Sequence, residues 1–111
     1  IGVVQGVPIC FDAKECAVDT FSLRNIHKHQ IDFMEEFEKQ HGISFLIIMF
    51  TSRNKFYYMP FRELKFFLER VKNGHPNNFK YEELKQEYFI TSESGAMVHY
   101  IRGLKRDLEE R

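Results

Sequence analysis

The hydrophobic positions of this chain repeat with two spacings, one near two residues and one near 3.6, and each spacing predicts its own kind of element. Gly2-Val3-Val4-Gln5-Gly6-Val7-Pro8 reads as a strand that turns tightly at Gly6 and returns through residues 9–15 as the second arm of a hairpin. Alternation along that second arm puts Ile9, Phe11 and Ala13 on one face, predicted to be core, and Cys10, Asp12 and Lys14 on the other. Residues 17–24 read as an irregular link anchored by Phe21 and Leu23. Asn25 is predicted to cap a helix over residues 26–40, with Gly42 ending it. At about 100° per residue, Ile26, His27, Gln30, Ile31, Phe33, Met34 and Phe37 share one arc of that helix, while Lys28, Asp32, Glu35 and Lys39 lie opposite.

Residues 43–51 are nearly all apolar, which predicts a central strand buried on both faces. A turn at residues 52–54 leads into an antiparallel neighbour over residues 55–59. Two hairpins with a crossover helix between them make a mixed α/β sheet flanked by helices. Pro60 then starts a second helix that runs to about residue 72, with Phe61, Leu64, Phe67, Leu68 and Val71 on one arc and Phe66 on the polar side. Residues 73–78 read as a loop, 81–86 as a short helix, 88–91 as extended chain and 92–95 as a turn. Tyr100, Ile101, Leu104 and Leu108 predict a closing helix packed on the body, and the charges of residues 102–111 read as its solvated face.

Composition narrows the class. With 111 residues, 43% hydrophobic and 29% charged, the chain is expected to fold as one globular domain. Its longest apolar run is too short to span a bilayer. Cys10 and Cys16 fall on one face of one strand, too far apart to bridge, and read as reduced thiols of a cytoplasmic protein; no Cys-x-x-Cys metal pattern is present. Sixteen basic and sixteen acidic residues cancel, which argues against broad nonspecific attraction to nucleic acid but leaves room for a local basic surface. The chain starts with Ile1 inside an apolar run and is therefore read as part of a longer protein.

Chemistry is expected at Asp12 and Lys14. Two residues apart on one face of a strand, their side chains start roughly 7 Å from each other. A metal ion or a phosphate fits between such tips: the carboxylate is a hard oxygen ligand for magnesium, and the ammonium can stabilise charge on a phosphoryl oxygen or orient water. The plainer reading is an ordinary ion pair on a half-exposed strand. Gln30, in the middle of an apolar arc, must find hydrogen-bond partners. It either bonds a buried backbone group or faces the Asp12 strand and holds a ligand there. His27 reads as a satisfied core histidine and His29 as solvent-facing.

Gly2-Val3, Gly6, Ile9 and Phe11-Asp12-Ala13-Lys14-Glu15, followed by Phe21, Leu23, Asn25, His27, His29-Gln30-Ile31 and Met34, resemble the RecU-type Holliday junction resolvases of low-GC Gram-positive bacteria and their phages. The resemblance implies a restriction-endonuclease-like PD-(D/E)XK fold and a magnesium-dependent endonuclease, with manganese as an alternative ion, that works as a homodimer on four-way DNA junctions. It implies that Asp12 and the Ala13 carbonyl hold the metal, that Lys14 is the motif lysine and that Gln30 is the helix glutamine beside them. The family usually carries Glu where this chain has Asp12. Its second metal-binding Asp falls two residues before Ile1, and its basic residues and projecting segment lie further upstream. Residues 1–111 thus read as a single nuclease domain without its upstream part, which on its own is expected to bind metal weakly; no DNA-binding residue is assigned. Branch-migration and strand-exchange proteins are the implied partners besides branched DNA. The competing readings are another PD-(D/E)XK nuclease acting on duplex ends, flaps or nicks, and a noncatalytic DNA-binding domain of the same fold.

Overall fold

Gly6 makes the first turn, with φ at +82° and open space where a Cβ would be. A computed structural model describes residues 2–4, 6–91 and 106–110. In chain order the elements are β1 (Gly2–Val4), β2 (Val7–Cys16), β3 (Thr20–Ser22), α1 (Lys28–Lys39), β4 (Ile43–Phe50), β5 (Lys55–Pro60), α2 (Phe61–Lys72), β6 (Asn78–Lys80) and β7 (Phe89–Thr91), with residues 106–110 helical at the end. The five-stranded sheet has the order β1-β2-β4-β5-β7. β2 and β4 are parallel, joined by the α1 crossover, and the other pairings are antiparallel. This is the mixed α/β sheet expected, compatible with a restriction-endonuclease-like fold.

The sheet is built around β4, where Ile43, Phe45, Leu46, Ile48 and Phe50 are buried. The Ser44 hydroxyl donates to the Met34 carbonyl of α1 at 3.0 Å, and Lys65 of α2 lies 3.6 Å from Glu35 of α1. α2 begins after Pro60 as expected, burying Phe61, Leu64 and Phe67 and leaving Phe66 exposed. Phe67 stacks on Phe79 and Phe79 on Phe21, which fastens the small β3–β6 sheet to α2.

Several expectations are corrected. Beyond Ile9 the apolar face of β2 is the open one: Phe11 is 47% exposed, whereas Asp12 and Lys14 are half-buried, because α1 lies over their side. The link at residues 17–24 contains β3, and Phe21 and Leu23 anchor it as expected. Asn25 caps nothing. It ends a 3-10 turn that Ser22 caps, and α1 begins three residues later, after an extended His27. His27 is accordingly exposed and not in the core. His41, at φ 68°, takes the left-handed position after α1; Gly42 instead lies where a Cβ would come within 2.3 Å of the Phe37 ring. Residues 81–88 form two 3-10 turns in place of one short helix. At the end of the chain the expected polarity is inverted, with Leu108 exposed and Asp107 fully buried, where it accepts from the Tyr58 hydroxyl at 2.6 Å and from Arg62. The expected turn at residues 92–95, and Tyr100, Ile101 and Leu104, lie outside the described residues.

Candidate active site

Asp12 stands midway along β2, opposite Leu46 of the buried central strand, so its backbone is held by the most rigid part of the sheet. Three donors surround its carboxylate. Lys14 Nζ and Gln30 Nε2 each lie 3.1 Å from Oδ2, and the Ala13 N–H donates to Oδ1 at 3.0 Å. Lys14 reaches Asp12 because alternation returns it to the same face, and its side chain is 23% exposed against 37% for Asp12. Gln30 reaches it from the first turn of α1.

The two ends of the Gln30 amide bond different groups. Its Oε1 accepts the His27 N–H at 3.2 Å, satisfying a backbone donor at the start of the helix, while Nε2 holds Asp12. The geometry therefore joins Asp12, Lys14 and Gln30 into one cluster drawn from a strand and a helix.

Among the described residues no group of three or more His, Cys, Asp or Glu side chains could hold a metal. What Asp12 offers is narrower: a carboxylate has about four lone-pair positions, and three donors leave one for a cation. In an extended strand a residue's N–H and C=O leave by the same edge, so the Ala13 carbonyl lies on the side to which its N–H reaches Asp12. β1 pairs with β2 only as far as Ile9, and among the described residues no strand covers the edge of β2 beside Asp12. These are hard oxygen donors suited to magnesium, which is commonly held by one or two carboxylates together with water and substrate phosphate. The described residues supply part of such a shell.

Other polar groups lie near the cluster. Cys10 shares its face; burial raises the thiol pKa, and both cysteines are free. The rings of His27 and His29 stack 5.5 Å apart at 10°, and both residues are exposed. Arg24, three residues before His27, and Lys28, between the two histidines in the chain, are exposed as well. Sequence reading passed over these two cations; the signal for them was the absence of any acidic residue between Asp19 and Asp32.

The family model for Recombination protein U matches residues 1–106. The chain belongs to the RecU family. Among curated RecU proteins, the Holliday junction resolvase RecU of Bacillus pumilus (strain SAFR-032) is 40% identical over 103 residues, covering 91% of this chain and 49% of the relative. The Holliday junction resolvase RecU of Staphylococcus aureus (strain MRSA252) is 32% identical over 107 residues, covering 95% of this chain and 51% of the relative. The chain spans about half the length of the curated relatives it matches. The family match spans nearly the whole chain and not a short motif alone.

Proposed function

We propose that this chain carries the catalytic core of a structure-specific endodeoxyribonuclease that cuts four-way DNA junctions as a homodimer, with magnesium as its cofactor and manganese able to replace it. The observation that carries the reading is the Asp12–Lys14–Gln30 cluster, set on the sheet of a chain that belongs to the RecU family. Both curated relatives bear the name Holliday junction resolvase, which favours junctions over duplex ends or flaps as substrate and a nuclease over a noncatalytic binding domain.

In this reading Asp12 and the Ala13 carbonyl hold the metal. When bound, a divalent ion polarises the phosphoryl group and lowers the pKa of water. Gln30 fixes the direction of the Asp12 carboxylate. Lys14, beside Asp12, neutralises charge that develops on a phosphoryl oxygen as water adds to phosphorus and the bridging P–O bond breaks.

The hairpin register supports the place of the second acid. Gly2 faces Ile9, and were the antiparallel pairing to continue, the position two residues before Ile1 would face Asp12. Cross-strand side chains start about 5 Å apart. Homodimeric symmetry would set two such sites against the two strands that a junction resolution must cut. Branch-migration and strand-exchange proteins remain the proposed partners beyond the DNA.

The test is cleavage of a labelled four-way junction, beside a duplex of the same arms, by protein expressed from the complete reading frame with magnesium present. Symmetric nicks in the junction alone are expected. Equal cutting of both substrates would mean a general nuclease, and junction binding without cutting would favour the noncatalytic domain.

A further inference from the structure

We infer that Arg24, His27, Lys28 and His29 form a clamp for the phosphate backbone of the DNA strand presented to Asp12; this rests on reading the site as a DNA nuclease and extends it to the residues that seat the substrate. A protein with no net charge cannot draw DNA by its overall field, so the attraction has to be local. Most of the described cations near acids are already engaged, as Lys14 is by Asp12, Arg53 by Asp19 and Arg70 by Glu83. Arg24 and Lys28 are different. Among the described residues, neither the Arg24 guanidinium nor the Lys28 ammonium has a hydrogen bond or ion pair, and both are exposed. The nearest carboxylates along the chain are Asp19, which holds Arg53 at 2.7 Å, and Asp32, which is exposed one turn further along α1.

The imidazoles of His27 and His29, on either side of Lys28 in the chain, stack on each other and are exposed. Neutral or charged, each ring offers at least one N–H to a phosphate oxygen. The cluster is also tied to the chemistry: the His27 N–H donates to the same Gln30 side chain that holds Asp12, so only two hydrogen bonds separate it from the carboxylate. Contacts of this kind, made to phosphate and not to bases, fix the register of a strand without reading its sequence.

The test compares junction binding across a range of salt for the parent, Arg24→Gln/Lys28→Gln, His27→Asn/His29→Gln, and a control pair of exposed lysines elsewhere, Lys39→Gln/Lys80→Gln. Asn is itself a favoured residue at the start of a helix, so His27→Asn removes the ring while keeping the cap. Losing two phosphate contacts should lower the slope of log affinity against log salt by close to two and weaken binding roughly tenfold at moderate salt. Both cluster variants should raise KM more than they lower kcat, Arg24→Lys should recover most of the Arg24→Gln loss, and the control should bind like the parent. Parent-like slopes in the Arg24/Lys28 variant, or an equal loss in the control, would overturn the clamp. Because the slope is read from binding, a parent that binds junctions without cutting them would sink the nuclease reading and still decide the clamp; a parent that does not bind DNA would sink both.

Discussion

Gln30 is a single side chain with two duties, and replacing it should separate them. Gln30→Leu removes a hydrogen bond at the helix start, worth about 1 kcal/mol, and releases the Asp12 carboxylate. Junction cleavage should therefore fall by tenfold or more while the thermal midpoint drops only slightly; full activity with a raised midpoint would leave Gln30 with a purely structural role. Two glutamates predict opposite pH responses. Burial raises the Glu63 carboxyl pKa above its ordinary value, although the Tyr57 hydroxyl donates to it at 2.6 Å. The folded protein then holds that proton to higher pH than the unfolded chain, so stability declines as pH climbs from the ordinary Glu value through the raised one. Glu63→Gln should flatten that decline in midpoint-versus-pH curves, and an unchanged slope would contradict the assignment. Glu83 runs the other way, drawn down from 4.5 to about 2 by Arg70, which donates to both its oxygens. Its contribution is complete above 4.5 and is lost as pH falls toward 2, a loss that Glu83→Gln should abolish. At this scale the sequence showed Asp12 and Lys14 together, since strand alternation alone puts them on one face. It could not choose between the readings of Gln30, whose partner Asp12 lies 18 residues away.

Elements were legible where their period was long enough to count. β2, β4, β5 and α2 carry runs of six residues or more, and each stands where its pattern put it to within a residue or two. β3 and β6 are three residues each, too short for any period, and exist because Phe21 and Phe79 stack in the core. The start of α1 was misplaced because Asn25 is a good cap by type, while Ser22 already opens a 3-10 turn that ends on Asn25. Asp107 reads as solvated from its charged neighbours; the Tyr58 and Arg62 that bury it are more than forty residues away in sequence. The junction of α1 and β4 offers a direct check of the packing. A Cβ on Gly42 would come within 2.3 Å of the Phe37 ring, so Gly42→Ala must displace that ring at a cost of about 1–3 kcal/mol. Denaturant unfolding measures this, and a parent-like midpoint would mean the close approach is not there.

Across the whole molecule, a parallel β2–β4 pair joined by α1 brings the helix start back over the polar face of β2, and this topology is what delivers Gln30 to Asp12. The same crossover brings His27 beside the site, where its N–H donates to the Gln30 side chain that holds Asp12. The sheet order is seen in the fold and the family in the match over residues 1–106, while the proposed function rests on one carboxylate. That makes Asp12→Asn the decisive variant. It keeps an acceptor for Lys14 and Gln30 and removes the charge that would hold a cation, so the fold should survive. Measured in single turnover on a four-way junction with magnesium, at DNA concentrations that saturate binding, the parent should nick both strands symmetrically. Asp12→Asn should bind the junction and unfold at a nearly unchanged midpoint, yet cut it at least a hundredfold more slowly, the loss of about 3 kcal/mol of transition-state stabilisation. Cleavage by Asp12→Asn at the parent rate would contradict the assignment of Asp12 as the centre of the active site.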